Sequence, residues 1–153
     1  MRIGAHVSVS GGYDKAVDYA LEVGCECIQI FAKSPRQWRG HSIDQDKAAD
    51  FIAYRSEKAL GPVFTHTAYL INLATPDAAM RAKSIAALVD ELERGHLLAA
   101  DGVITHTGSG KGDDPNATMA RVIEAIEEVL ESVPADAPPL LLETTAGAGD
   151  TVG

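Results

Sequence analysis

Five short apolar segments, spaced at regular distances along the chain, constrain its fold more than any other feature. They cover residues 2–6, 27–31, 62–66, 102–106 and 139–143, and their ends lie from 25 residues (6 to 31) to 40 residues (66 to 106) apart. A strand followed by a helix that returns the chain to the same edge of a parallel sheet has this length. The aliphatic and β-branched segments are typical of strands buried on both faces. The sequence therefore predicts an α/β protein with a parallel sheet.

Amphipathic segments with N-terminal helix signals separate these strands. The first helix is predicted over YDKAVDYALEV, residues 13–23. Ser42 and Gln45 predict a capping box for a second helix, which ends at about Leu60. Thr75 and Asp114 each precede a segment with a proline, and each predicts the cap of a further helix. Four helices thus alternate with the five strands.

Two α/β architectures fit this alternation. A doubly wound sheet would carry a glycine-rich phosphate loop after its first strand, and GAHVSVSGGYDKA lacks the G-x-G-x-x-G pattern. A (β/α)8 barrel places functional residues at the carboxyl ends of several strands, and this distribution is the one seen here. Such a barrel needs about 250 residues. We therefore predict a partial barrel, with residues 1–153 forming a single incomplete domain.

Three strands end on residue types that bind metals. His66, His106 and Glu143 would converge at the mouth of a barrel, and two imidazoles with a carboxylate suit zinc. Alternatively, a histidine at a strand end only donates a hydrogen bond to a loop carbonyl. His6 also ends a strand and could be a further ligand, although we favour a role that supports the site from outside the ligand set.

The KSPRQW segment follows the second strand at the same mouth. Arg36 is suited to binding phosphates, and the neighbouring Gln37 and Trp38 could contact or stack on bases. Alternatively, the tryptophan could cover the mouth of the barrel. Tyr69 lies three residues beyond His66 and is a further aromatic candidate, or a core residue.

Composition restricts the class of partner. Lysine and arginine number 13 against 22 aspartates and glutamates, which gives a net charge of −9. This excludes nucleic-acid binding by bulk charge but leaves room for a local basic patch such as residues 32–40. No apolar segment is long enough to span a membrane, and the N-terminus lacks the features of a signal peptide. We therefore expect a cytoplasmic protein.

Five motifs, taken together and in order, resemble the endonuclease IV family. They are IGAHVS, IFAKSPRQWRG, HTAYLINLA, HTGS and LLLETTAGAG, and they extend from residue 3 to about residue 149. The resemblance implies a zinc-dependent apurinic/apyrimidinic endonuclease of DNA base excision repair on a (β/α)8 barrel. Such an enzyme hydrolyses the phosphodiester 5′ to an abasic site in double-stranded DNA and leaves a 3′-hydroxyl.

The resemblance also assigns roles to individual residues. His66 and His106 match histidines that ligate one zinc, and Glu143 matches a catalytic carboxylate that bridges two zincs. The segment Arg36, Gln37 and Trp38 matches a DNA-penetrating loop. Tyr69 matches a tyrosine that contacts DNA beside the metals.

The resemblance covers only the first five-eighths of the family barrel. Members continue through three more βα units that carry further ligands of a three-zinc cluster. We therefore expect these residues alone to hold at most one zinc, weakly, and to have negligible endonuclease activity. Open sheet edges predict self-association or binding of a complementary fragment.

Two other functions remain open from the sequence. A metal-dependent sugar isomerase or epimerase on the related barrel would also use histidine and glutamate at strand ends, but a small sugar needs no Arg36–Trp38 loop. The second alternative is a non-catalytic half-barrel module that binds a partner through its edges.

Overall fold

The computed structural model describes residues 1–145 and 150–152, in which five strands alternate with four helices. The strands are β1 (Gly4–His6), β2 (Cys27–Phe31), β3 (Val63–His66), β4 (Gly102–His106) and β5 (Leu140–Glu143). The helices are α1 (Tyr13–Glu22), α2 (Gln45–Glu57), α3 (Ala78–Leu97) and α4 (Pro115–Ser132). Each strand ends at the residue predicted from the sequence. The last residues of the LLLETTAGAG motif lie outside the described residues.

All five strands are parallel and pair in the order β1-β2-β3-β4-β5, so each strand lies beside its neighbours in the chain. The register places Phe31 opposite His66 and His106 opposite Glu143. A doubly wound sheet would reverse its strand order at a switch point, whereas a barrel adds strands in one direction. The fold is therefore an open, partial TIM barrel, as predicted.

Core packing between the sheet and the helices determines which side chains face the barrel interior. One buried cluster contains residues of α1, α2, β2 and β3, and a second contains residues of α3, α4 and β4. Val103 belongs to the second cluster and is fully buried. Because successive side chains alternate across a strand, burial of Val103 turns Ile104 and His106 towards the interior.

Aspartates cap three of the four helices, and two of these caps differ from the prediction. Asp44, rather than Ser42, accepts hydrogen bonds from the first turn of α2. Asp77, rather than Thr75, caps α3, while the Thr75 hydroxyl accepts from the Asp77 amide. Asp114 caps α4 as predicted, with Pro115 in the first helical turn. None of the described helices has both the length and the apolar character needed to cross a membrane.

The two edge strands are more exposed than a sheet buried on both faces would be. All three residues of β1 are exposed, as are the last three of β5. Leu141 and Leu142 are 38% and 48% exposed, respectively. The reason is that β1 and β5 each pair on one side only within the described residues. Each edge therefore offers unpaired backbone groups beside apolar side chains.

We predict that the 153-residue chain self-associates in a concentration-dependent manner, and that Leu142→Lys weakens this association. A lysine beside an edge strand opposes pairing with another strand. Leu130→Lys is the matched control, because Leu130 is 52% exposed but lies on α4. Sedimentation velocity measures the association. A monodisperse wild-type monomer, or equal effects of the two variants, would contradict the prediction.

Candidate metal centre

The carboxyl ends of β3, β4 and β5 bring together the three side chains predicted as metal ligands. One ligand atom each from His66, His106 and Glu143 lies within 4.8 Å of the other two. His106 and Glu143 are direct partners in the β4–β5 register, and the rings of His66 and His106 are 5.1 Å apart. His66 is buried, whereas the Glu143 side chain is 46% exposed. The group thus opens to solvent on the carboxylate side.

Hydrogen bonding fixes the orientation of the His66 ring. Its Nδ1 lies 2.8 Å from the carbonyl oxygen of Thr67, which can only accept, so Nδ1 carries the hydrogen. In the neutral ring, Nε2 then presents a lone pair, and this atom lies 3.2 Å from Oε2 of Glu143. Two acceptors at this distance repel each other unless a proton or a metal cation lies between them. The pair therefore fits a bound cation.

His106 contributes a second imidazole to the same group. Its Nδ1 is buried, and no described residue provides it with a hydrogen-bond partner. Buried polar atoms are rarely left unpaired, so this orphaned ring nitrogen points to a missing partner. Two imidazole nitrogens and one carboxylate oxygen form a donor set that zinc favours, with a fourth position left for water or substrate. The residues present fit a divalent metal site.

His6 lies beside this group without joining it. Nε2 of Gln29 donates to its Nδ1 at 2.8 Å, and its ring is 4.2 Å from Phe31 and 6.3 Å from His66. Burial, with a smaller contribution from His66, lowers the pKa of His6. Within the part of the chain that the structure describes, the group that could hold a metal ion does not include His6. Its supporting role stays a prediction.

The candidate DNA-contacting residues border the same edge of the sheet. Arg36 and Gln37 are exposed, and Trp38 is half-buried. Tyr69 is 62% exposed, and its ring lies 5.6 Å from that of His66. The amide of Tyr69 donates to the carbonyl of Pro35 at 3.1 Å, which joins the two loops. The exposure of its side chain excludes the alternative that Tyr69 is a core residue.

Asn72 is a supporting residue that the sequence analysis missed. Its side-chain amide donates to the carbonyl of Ser109, and its Oδ1 accepts from the Ser109 amide at 3.0 Å. The loop that follows His106 is thereby tied to the loop that follows His66. Gly108 lies against this clamp with φ of 102°, and a Cβ there would lie 2.1 Å from Oδ1 of Asn72. In the sequence, the contact is indicated only by the residue types of Asn72 and Gly108 in the loops after the two histidines.

We predict that Gly108→Ala destabilises the chain more than Gly24→Ala does. Both glycines have positive φ, but a Cβ at Gly24 would meet nothing within 4 Å. The backbone strain is therefore common to both variants, and the overlap with Asn72 should add about 1–3 kcal/mol at position 108. Urea unfolding of both variants measures the difference. Equal losses of free energy would contradict the clamp.

The fold and the strand-end residues agree with a known protein family. The profile of the xylose isomerase-like TIM barrel family matches residues 17–153. That range includes β2 to β5 and all three candidate ligands. The match agrees with the open, partial barrel seen in the structure.

Two relatives carry the name "Probable endonuclease 4". The protein from Methanoculleus marisnigri is 42% identical over 151 residues, and that from Chloroflexus aggregans is 41% identical over 152. Both alignments cover 99% of this chain but only 54% and 53% of the relatives. The chain thus spans about half the length of the curated relatives it matches.

Solved structures show the same relationship. The crystal structure of endonuclease IV from Thermus thermophilus matches with a TM-score of 0.86 at 36% identity, over 100% of this chain and 55% of that one. D-psicose 3-epimerase from Clostridium cellulolyticum matches with a TM-score of 0.62 at 17% identity, over 85% of this chain and 48% of that one, which shows a shared fold alone. The chain belongs to the xylose isomerase-like TIM barrel family and, within it, to the endonuclease IV proteins.

Proposed function

We propose that this chain is part of a zinc-dependent apurinic/apyrimidinic endonuclease of DNA base excision repair. The reaction is hydrolysis of the phosphodiester 5′ to an abasic site, leaving a 3′-hydroxyl, and the proposed location is the cytoplasm. The observation that carries the proposal is the convergence of His66, His106 and Glu143 within 4.8 Å at the barrel mouth. The names of the two "Probable endonuclease 4" relatives support it.

The three strand-end residues have distinct proposed tasks. His66 and His106 would hold one zinc ion through ring nitrogens, and Glu143 would be the catalytic carboxylate that shares it. The carbonyl of Thr67 keeps the His66 ring in the orientation that ligation needs. When bound at such a site, zinc supplies Lewis-acid stabilisation of a phosphate and lowers the pKa of water to about 7. The Glu143 side chain is 46% exposed, so a phosphate could reach the site on the carboxylate side.

The two neighbouring loops are proposed to hold the DNA. Arg36 is exposed and provides a planar guanidinium suited to phosphate oxygens. Gln37 offers an exposed amide beside it. Tyr69 provides an exposed aromatic ring against which an unpaired nucleotide could stack. Trp38 provides a smaller surface, because its ring is half-buried and the Lys83 ammonium lies 4.3 Å from the ring centre. The net charge of −9 opposes DNA binding over the rest of the surface, so the affinity depends on these few residues.

The sugar epimerase alternative has less support. The similarity of the epimerase to this chain is 17% in sequence and extends to the fold alone. A small sugar does not require the exposed arginine and glutamine that border the metal site.

We predict that the zinc-loaded chain binds a duplex with a tetrahydrofuran abasic analogue more tightly than an undamaged duplex. We also predict that Arg36→Ala weakens binding about tenfold, since a hydrogen bond to a charged group contributes about 1.5–3 kcal/mol. Fluorescence anisotropy at low salt measures the affinity. Arg2→Ala is the matched control, because Arg2 is also exposed but lies before β1, at the opposite end of the strands. Equal effects of both variants, or no preference for the abasic duplex, would contradict the proposal.

The same samples test whether cleavage of DNA requires metal ligands beyond His66, His106 and Glu143. Because the described residues offer three ligands for one zinc, the chain should nick a true abasic site at a negligible rate. A zinc-dependent nick that is lost on chelation would show that three ligands are enough.

A further inference from the structure

A second group of charged residues contains none of the candidate metal ligands, and the proposed chemistry does not use it. It consists of Lys33, Asp90, Glu91 and Arg94, which we name the charged cluster. Lys33 and Arg94 are 9% and 8% exposed, and Glu91 is 1% exposed. Burial of charges is costly unless they are paired, so a buried group of this kind calls for an explanation.

Lys33 connects the loop after β2 to helix α3. This loop (residues 32–44, the first loop) contains the DNA candidates Arg36, Gln37 and Trp38. Nζ of Lys33 donates to Oδ2 of Asp90 at 2.6 Å and lies 3.5 Å from Oε1 of Glu91. The same ammonium donates to the carbonyl of Trp38 at 3.3 Å. One buried cation thus holds the tip of the first loop against the acidic residues of α3.

Arg94 adds a second connection between α3 and the first loop. Its Nε donates to Asp90, and its Nη1 donates to the carbonyl of His41 at 2.8 Å. A Cβ at Gly40 would lie 2.8 Å from Cβ of Lys33 and 3.0 Å from Cζ of Arg94. The backbone of the first loop at Gly40 therefore packs directly against the side chains of Lys33 and Arg94.

Glu91 connects the loop after β3 to the same cluster. This loop (residues 67–77, the second loop) contains Tyr69. Oε1 of Glu91 accepts from the amide of Ala68 at 3.0 Å. The next amide, of Tyr69, donates to Pro35 of the first loop at 3.1 Å. The positions of both loops thus depend on Asp90 and Glu91, which are adjacent residues of α3.

We propose that the charged cluster positions the first and second loops relative to each other and to the metal centre. The proposal rests on the proposed role of these loops in DNA contact. Within the described residues, the hydrogen bonds and ion pairs of the cluster reach the two loops through their backbone and leave the three candidate metal ligands aside. The four charged residues are therefore positioning residues.

The ionisation of the two acids agrees with this arrangement. Burial raises the pKa of Glu91, and the Lys33 ammonium and the Ala68 amide oppose that rise. Burial also raises the pKa of Asp90, but hydrogen bonds from Arg94 and Lys33 outweigh it and lower the pKa overall. Lys33 thus compensates both acids, and Arg94 also compensates Asp90.

The test uses Lys33→Met and the double variant Lys33→Met/Glu91→Gln. The first change leaves Glu91 as a buried charge without its cation, so the chain should lose stability. The second change removes that charge and should restore part of the stability. Neither restores the contact with the Trp38 carbonyl. If the double variant regains stability while the first loop stays displaced, the positioning role of the cluster is distinguished from its contribution to stability.

The fluorescence of Trp38 reports the first loop directly, because the chain has a single tryptophan. In both variants we expect emission at longer wavelength and stronger acrylamide quenching than in the wild type. We also expect the affinity for the tetrahydrofuran duplex to fall about tenfold, since small misplacements of binding groups carry penalties of this order or more. Lys58→Met is the matched control, because Lys58 pairs with Glu57 at an exposed site; it should change neither readout.

Unchanged Trp38 emission, or recovery of emission and affinity together with stability in the double variant, would overturn the proposal. So would failure of the double variant to fold, because the cluster would then be needed for folding itself. If the wild-type chain does not bind the duplex, the proposed function fails, and the Trp38 readout alone decides whether the cluster positions the loop.

Discussion

Hydrogen bonding between consecutive parallel strands determines where every candidate functional residue lies, because it brings the carboxyl ends of all five strands to one edge. The register places His106 opposite Glu143 and leaves His66 one strand away. Packing against the helices then determines which face each side chain occupies, since burial of Val103 directs His106 to the interior. Strand register and core packing together therefore bring the three candidate ligands to one place without a contribution from the loops.

Polar contacts of two kinds orient the candidate ligands and the loops around them. Near the ligands, neutral groups are sufficient: the carbonyl of Thr67 orients His66, and the amide of Asn72 joins two loops. Farther out, buried charges hold the first and second loops on α3. The two kinds of contact differ in energy, because burying a neutral hydrogen-bonded pair costs little whereas a buried charge must be paired with an opposite charge. The candidate ligands therefore lie beside two loops whose backbones are hydrogen-bonded to α3.

The strand ends and the three candidate ligands could be predicted because short apolar segments stop abruptly at His66, His106 and Glu143. The caps predicted at Ser42 and Thr75 were wrong because an aspartate two residues later competes for each, and backbone geometry decides between them. The charged cluster could not be predicted, since Lys33 and Asp90 are 57 residues apart and charged side chains are usually exposed. Pairings of this kind depend on the fold and leave no local pattern.

X-ray absorption spectroscopy of the zinc-loaded chain tests most directly whether two histidines and one carboxylate bind zinc together, because it reports the elements that ligate the metal. We predict imidazole nitrogens and oxygens at about 2.0–2.2 Å from the zinc. Scattering from sulfur at about 2.3 Å would contradict this ligand set, because zinc would then be bound by the free thiols of Cys25 and Cys27.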